Sequence, residues 1–177
     1  MSTLLKKYQS EVVPNLKKQF GYPSIMAVPR IMKVVINTGF GRRTKEEQER
    51  IKKALTRIGG QFIADRPARK SIASFKTRQG QVIGAAVTLR GERMYSFLAK
   101  LFFIALPRTR DFRGIDERTV DGGGNLTVGV KEHIVFPEAA SEDARAIFGF
   151  EATIVTNSKS RSEALALFKA LGVPFKK

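Results

Sequence analysis

A chain of 177 residues can form one domain with a real core, or at most two small ones. Hydrophobic residues make up 42% of it, which argues against disorder, and the lack of cysteine excludes a disulfide framework, a thiolate nucleophile and a thiolate metal site. Against 32 lysines and arginines stand only 16 acids, a formal charge of +16 that repels itself and attracts polyanions, so a nucleic acid or an anionic membrane is the natural partner.

The N-terminus lacks the unbroken apolar core of a signal peptide. Its residues Leu5, Tyr8, Val12, Leu16 and Phe20 recur near helical spacing and predict a helix over residues 3–20, with Pro14 as a kink or a later start. RIMKVVIN is rich in β-branched residues and reads as a strand ending at Asn37. After the turn TGFGRR, Thr44 and Glu47 form a capping box, Ile51, Leu55 and Ile58 an apolar stripe, and Gly59 and Gly60 a stop. QVIGAAVTL predicts a strand. GERMYSFLAKLFFIALP predicts a helix ended by Pro107, with Met94, Phe97, Leu98, Leu101, Phe102 and Ala105 facing the core. Its apolar stretch, FLAKLFFIAL, is interrupted by Lys100 and is too short to cross a bilayer. LTVGVKEHIVF and EATIVTN read as strands, and SRSEALALFKALG as a helix with Ser160 and Glu163 as a capping box and Gly172 as its stop. No fixed-period repeat or long linker interrupts residues 1–177, so the expectation is a single α+β domain: a mostly antiparallel β-sheet with helices packed on one face.

Little here suggests catalysis. His133 is the only histidine and lies in an apparent strand, where a partly buried or exposed structural role is the simpler assignment than a catalytic triad. Zinc ligation by histidine and thiolate fails by count. The carboxylates fall in caps and salt-bridge spacings such as Glu46, Glu47 and Glu49. TGFGRR, with Gly39, Gly41, Arg42 and Arg43, could cradle a phosphate or merely turn the chain; it lacks the third glycine of a dinucleotide fingerprint and the Gly-Lys-Ser/Thr of a P-loop. DGGGN, Asp121 to Asn125, reads as a turn that permits positive φ. No catalytic residue, metal site, cofactor or small-molecule substrate is expected.

The strongest signal is RPARKSIASFKTRQGQVIG. From Arg66 to Arg90 there are six basic side chains and no acid, and Phe75 sits among them with only the short residues SIAS before it. A solvated charged loop is the plain explanation of most charge runs, and an ordinary hairpin anchor in the core is the alternative for Phe75. A protruding basic hairpin loop at about 66–82, cations around an exposed ring, suits single-stranded or looped RNA: Arg and Lys neutralise phosphates while the ring stacks on an unpaired base. Duplex DNA fits less well, since no helix-turn-helix, zinc finger or basic region with heptads is present. A membrane surface would want a basic amphipathic helix, and the densest basic cluster lies beside a hairpin instead.

ARKSIASFKTRQG (68–80) resembles the signature loop of the family of large-ribosomal-subunit protein five, in its bacterial form. VPRIMKVVIN, VTLRGERMY, LPRTRDFRG, GVKEHIVFPE and the terminal GVPFKK follow in the family's order, so the likeness runs over practically the whole chain. It implies an antiparallel sheet topologically similar to an RNA-recognition (RNP-like) domain. It also implies a structural, non-enzymatic role in the central protuberance, bound to 5S rRNA beside other large-subunit rRNA and 5S-associated ribosomal proteins. Two further contacts are implied, the elbow of the P-site tRNA and protein thirteen of the small-subunit head. The location expected is the cytoplasm, within the ribosome, with an organellar ribosome as the alternative.

Carried over by motif, the rRNA contacts are Asn37, Gln61, Arg69, Lys70, Phe75, Lys76, Arg78 and Thr88. Asn37 and Gln61 offer amides able to read base edges or the 2′-OH; Thr88 offers a hydroxyl, or packs as a β-branched residue. The resemblance places the tRNA contact at the loop tip, Ser71, Ser74, Phe75, Lys76 and Thr77. It places the inter-subunit bridge at Arg110, Asp111 and Arg113, whose loop could instead serve the rRNA. The chain departs from the family pattern at Phe62-Ile63 (usually Lys-Pro), Arg66-Pro67 (usually Thr-Lys), Val120, Gly123 and Leu126, and at Ala139, Ala140, Ser141 and Glu142, and no contact is carried over there. Two competing expectations are a non-specific RNA-binding protein or RNA chaperone, and an enzyme acting on RNA phosphates through its carboxylates.

Overall fold

Alternation decides which side of each strand meets water. In β1 (Ile31–Gly39) the side chains of Val34, Ile36 and Thr38 are buried while Asn37 is exposed on the opposite side. The same period of two repeats in β5 (Phe150–Thr156), where Ala152 and Ile154 are buried and Glu151 is exposed, and in β4 (Leu126–Val130), where Val128 is buried and Thr127 exposed. Five strands pair antiparallel in the order β2-β3-β1-β5-β4, with β2 at Ala64–Pro67 and β3 at Val82–Leu89. The computed structural model describes residues 3–41, 43–139 and 147–176. Arg42 of the glycine turn, Ala140, Ser141 and Glu142 of the altered loop, and Lys177 of the terminal motif lie outside them.

Among the described residues, four helices cover one face. Helix α1 is continuous through Thr3–Lys7, Tyr8–Val12 and Val13–Phe20; α2 is Lys45–Gly59; α3 runs through Gly91–Lys100, Leu101–Ala105 and Leu106–Arg108; α4 is Arg161–Leu171. Their buried stripes include Leu16 of α1, Ile51, Leu55 and Ile58 of α2, Phe97 and Leu98 of α3, and Leu167 and Phe168 of α4. These join Val34, Ile36, Val87, Leu89 and Ile154 of the sheet in one cluster. At its centre Phe97 stacks on Phe136 with ring centroids 5.9 Å apart, and Phe136 meets Phe150 at 5.7 Å. The expected α+β fold with helices on one face is what forms.

Several local expectations need correction. Pro107 does not end its helix, which continues to Arg108. In both α1 and α3 a π-helical turn, Tyr8–Val12 and Leu101–Ala105, directly precedes the proline pair Val13-Pro14 or Leu106-Pro107. A proline has no N–H and its ring collides with the carbonyl four residues back; a widened turn makes room for it without breaking the helix. The strand expected over LTVGVKEHIVF stops at Val130, where its partner β5 begins (Val130 pairs with Phe150), and the chain turns through the 3₁₀ segment His133–Val135. Ser160 accepts from the Glu163 N–H at 3.3 Å, but the Glu163 carboxylate bonds the N–H of Lys159 instead of Ser160, so only half of that capping box forms. The Thr44–Glu47 box is complete. In DGGGN, Gly124 has φ 77° and the Asp121 carboxylate accepts the Asn125 N–H at 2.7 Å, the turn the sequence predicts.

Candidate nucleic-acid interface

The face of the sheet turned away from the helices carries short and polar side chains. Register across the strands places Ala64, Ala86, Asn37, Glu151 and Gly129 in one row, and Thr88, Val35, Thr153 and Thr127 in the next. Asn37 is exposed, and Thr88 is half-buried rather than packed in the core. Gln61, in the turn between α2 and β2, donates its amide to the carbonyl of Thr88 at 3.3 Å. Of the sequence-predicted residues, Asn37 and Thr88 thus share one side of the sheet, and Gln61 is joined to the main chain of Thr88. Lys33 and Arg66 share that face, in register with Val155 and Gly84. The resemblance carries no contact to Arg66, and its position in a strand of four exposed residues carries no hydrophobic alternation that a sequence could display.

The basic loop leaves this sheet at the edge formed by β2 and β3. A smaller hairpin is nested inside the larger one: Ile72 and Thr77 exchange both backbone hydrogen bonds, at 3.1 and 3.2 Å. Its tip is a single 3₁₀ turn, Ala73–Phe75, closed by Lys76 in the left-handed region at φ 53°. Below the tip, Ser71 Oγ accepts the Gln79 N–H at 2.9 Å, the Gln81 side chain accepts the Arg78 N–H at 3.1 Å, and Gly80 takes φ 83° to close the turn. The loop therefore has internal order without a core of its own. Phe75 is 61% exposed, which disposes of the core-anchor alternative. Ser71, Ser74, Arg69, Lys70, Lys76 and Arg78 are exposed and Thr77 half-exposed.

Among the described residues no carboxylate lies within ion-pair distance of Arg66, Arg69, Lys70, Lys76 or Arg78; the ion pairs present are Lys52 with Glu49 and Asp65, Lys100 with Glu138, and Lys169 with Glu117. The loop's like charges are left to repel one another until an anion arrives. Between the tip and the β1–α2 turn lies a cleft of about 480 Å³ lined by Gly41, Ser74, Phe75, Lys76, Thr77 and Ile83. Gly39 and Gly41 do not adopt positive φ, and Arg43 donates to the carbonyl of Ile147 at 3.1 Å.

A second exposed loop follows α3. Arg110, Asp111 and Arg113 are exposed, none is ion-paired among the described residues, and Asp111 adopts φ 55°. Its base is clamped by the C-terminal segment: the Ile115 N–H donates to Pro174 at 2.8 Å and the Lys176 N–H to Ile115 at 2.9 Å. Gly114, at φ 92°, passes so close that a Cβ there would stand 2.6 Å from the Lys176 nitrogen. This loop lies on the β4 side of the sheet, at the opposite edge from the basic loop, and shares a cleft with Thr127 and Gly129.

His133 is buried, its ring stacked on Phe148 at 4.0 Å with Nδ1 accepting the Phe148 N–H at 3.5 Å: the structural histidine that the sequence suggests, partly buried or exposed, is a fully buried one. Among the described residues no group of three or more His, Cys, Asp or Glu could hold a metal ion, and no helix is long and apolar enough to cross a membrane.

A basic α+β protein with one bare sheet face and an acid-free loop has the surface of an RNA binder, and comparison with known proteins makes the class definite: a ribosomal protein. Residues 82–175 match the family model of the ribosomal L5P family C-terminus, and residues 24–78 match that of ribosomal protein L5. Large ribosomal subunit protein uL5 of Thermoanaerobacter sp. is 49% identical over 180 residues, covering all of both chains. The protein of the same name from Ureaplasma parvum is 48% identical over all of this chain and 97% of its own, and that of Halothermothrix orenii 46% identical over 99% of each. The chain belongs to the ribosomal protein L5 family. It is accordingly a structural, rRNA-binding constituent of the large ribosomal subunit and not an enzyme.

Proposed function

We propose that the chain acts as a single RNA-binding domain that holds 5S rRNA in the central protuberance. Its surface for that RNA is the bare sheet face together with the basic loop. Asn37, Gln61 and Thr88 face the RNA from the sheet, able to bond base edges or 2′-hydroxyls. Arg69, Lys70, Lys76 and Arg78 neutralise phosphates, and Phe75 stacks on an unpaired base. The observation that carries this is the ordered loop that presents Phe75 at 61% exposure amid cations with no carboxylate partner among the described residues. In an isolated soluble protein that arrangement costs both apolar exposure and charge repulsion, and an RNA strand relieves both at once.

The loop tip, Ser71, Ser74, Phe75, Lys76 and Thr77, is proposed to meet the elbow of the P-site tRNA. Arg110, Asp111 and Arg113 are proposed to meet protein thirteen of the small-subunit head. Support for this division is spatial: the two exposed loops flank opposite edges of one sheet, so one domain can reach two partners at once.

A chemical footprint of the purified protein on 5S rRNA, with duplex DNA as competitor, tests the main proposal. Protection should map to one looped region, survive the competitor, and lose its edge nearest the ring in Phe75→Ala. Uniform protection, or protection abolished by duplex DNA, would point to a non-specific binder.

A further inference from the structure

Phe62 is 90% exposed, more than any other large apolar side chain among the described residues. Nothing in chain flexibility explains it. On one side Gln61 is tied to Thr88; on the other Ile63 is half-buried against the core and Ala64 begins the pairing of β2 with β3. The side chains of both neighbours are anchored and the ring between them is presented to water. It borders a cleft of about 530 Å³ whose far wall is helix α2, with Lys52, Lys53, Thr56 and Arg57. That volume falls within the range that accommodates a nucleotide-sized ligand.

The two acids on the cleft, Glu49 and Asp65, are both engaged by Lys52, at 3.0 and 2.7 Å. Lys53 stands exposed on the helix beside the same cleft. A lone ring bordered by cations, with Ile63 half-covered, does not resemble the core of a protein–protein interface, which gathers several apolar side chains and sheds charge. It has the chemistry of a stacking platform beside a phosphate grip.

We propose that Phe62, with Lys53, forms a second base-stacking site for an unpaired nucleotide of the bound rRNA, on the α2 side of Gln61. This rests on the proposal above that RNA lies along Gln61 and Thr88; it adds a nucleotide beyond the sheet edge and assigns a ligand to Phe62, a residue that departs from the family pattern.

The chain contains no tryptophan, so Phe62→Trp introduces a single indole reporter. Titrated with 5S rRNA, its emission is expected to be quenched and to saturate at one RNA per protein. Phe62→Ala should weaken binding by roughly five- to a hundredfold, leave the salt slope intact, and leave the melting temperature unchanged because the ring supports no core. Two outcomes overturn the site while the 5S proposal stands: unquenched Phe62→Trp emission at saturating RNA with wild-type affinity in Phe62→Ala, or quenching only on addition of large-subunit proteins, which would mark a protein contact. If the wild type shows no preference for 5S rRNA, the parent proposal fails and this one with it.

Discussion

Phe75 and Phe136 carry the same ring in opposite solvents, and substitution should separate them cleanly. Phe136 is fully buried and touches Phe97 and Phe150. Truncation to alanine removes that packing and leaves a cavity, an expected loss of about 3–5 kcal/mol in chemical denaturation. Phe75→Ala should leave the denaturation midpoint where it is and weaken 5S rRNA binding by about 1–3 kcal/mol, measured by filter binding at fixed salt. A destabilised Phe75→Ala would mean the ring has a structural role. The exposure of Phe75 was legible in the sequence, because an acid-free run with only short residues nearby offers a ring nothing to pack against. Phe62 gave no such signal: one aromatic between a turn and a short edge strand has neither periodicity nor a charge run around it in sequence, and its cations come from a helix a turn earlier.

Elements formed by local chemistry were the easiest to read. Thr44 and Glu47 bond each other's backbone N–H, so Thr44→Ala should cost about 1 kcal/mol, visible as a drop of a few degrees in the thermal midpoint. The Thr44 N–H also holds the Glu47 carboxyl below its ordinary value of 4.5, and the Asn125 N–H holds Asp121 below 3.8. A carboxyl lowered in the folded state contributes stability above its unfolded value and loses it as the pH falls through the lowered one. The melting temperature should therefore hold down to about pH 5 and decline below it, with a shallower decline in Glu47→Gln. Elements that depend on partners were harder. The edge strand β2 exists only because β3 lies beside it, and the strand through KEHIVF is cut short because β5 supplies no partner beyond Phe150. The closeness of β1 and β3 rests on Gly84, where a Cβ would stand 2.7 Å from the Thr38 carbonyl. Gly84→Ala should spread the strands and cost about 1–3 kcal/mol in stability, with RNA affinity falling as the Asn37–Ala86 row beside it shifts.

For the molecule as a whole, charge and topology act together. The excess of +16 gives attraction to any polyanion, while the exposed residues of the sheet face and the loop at its β2–β3 edge give that attraction a shape. The fold class was readable from alternating helical and strand periods. Which side of the sheet stays bare was not, since it depends on where the helices pack. Replacing Lys76 or Arg78 by alanine should lower the slope of log affinity against log salt by about 0.7–0.9 each if each meets one phosphate. The most direct test of the central claim is a competition measurement near physiological salt, setting 5S rRNA against an unrelated structured RNA of equal length. A preference of at least about tenfold for 5S rRNA, lost in a Phe75→Ala/Asn37→Ala double variant that still folds, is the expected result. Equal affinity for the two RNAs, with the double variant indistinguishable from wild type, would contradict it.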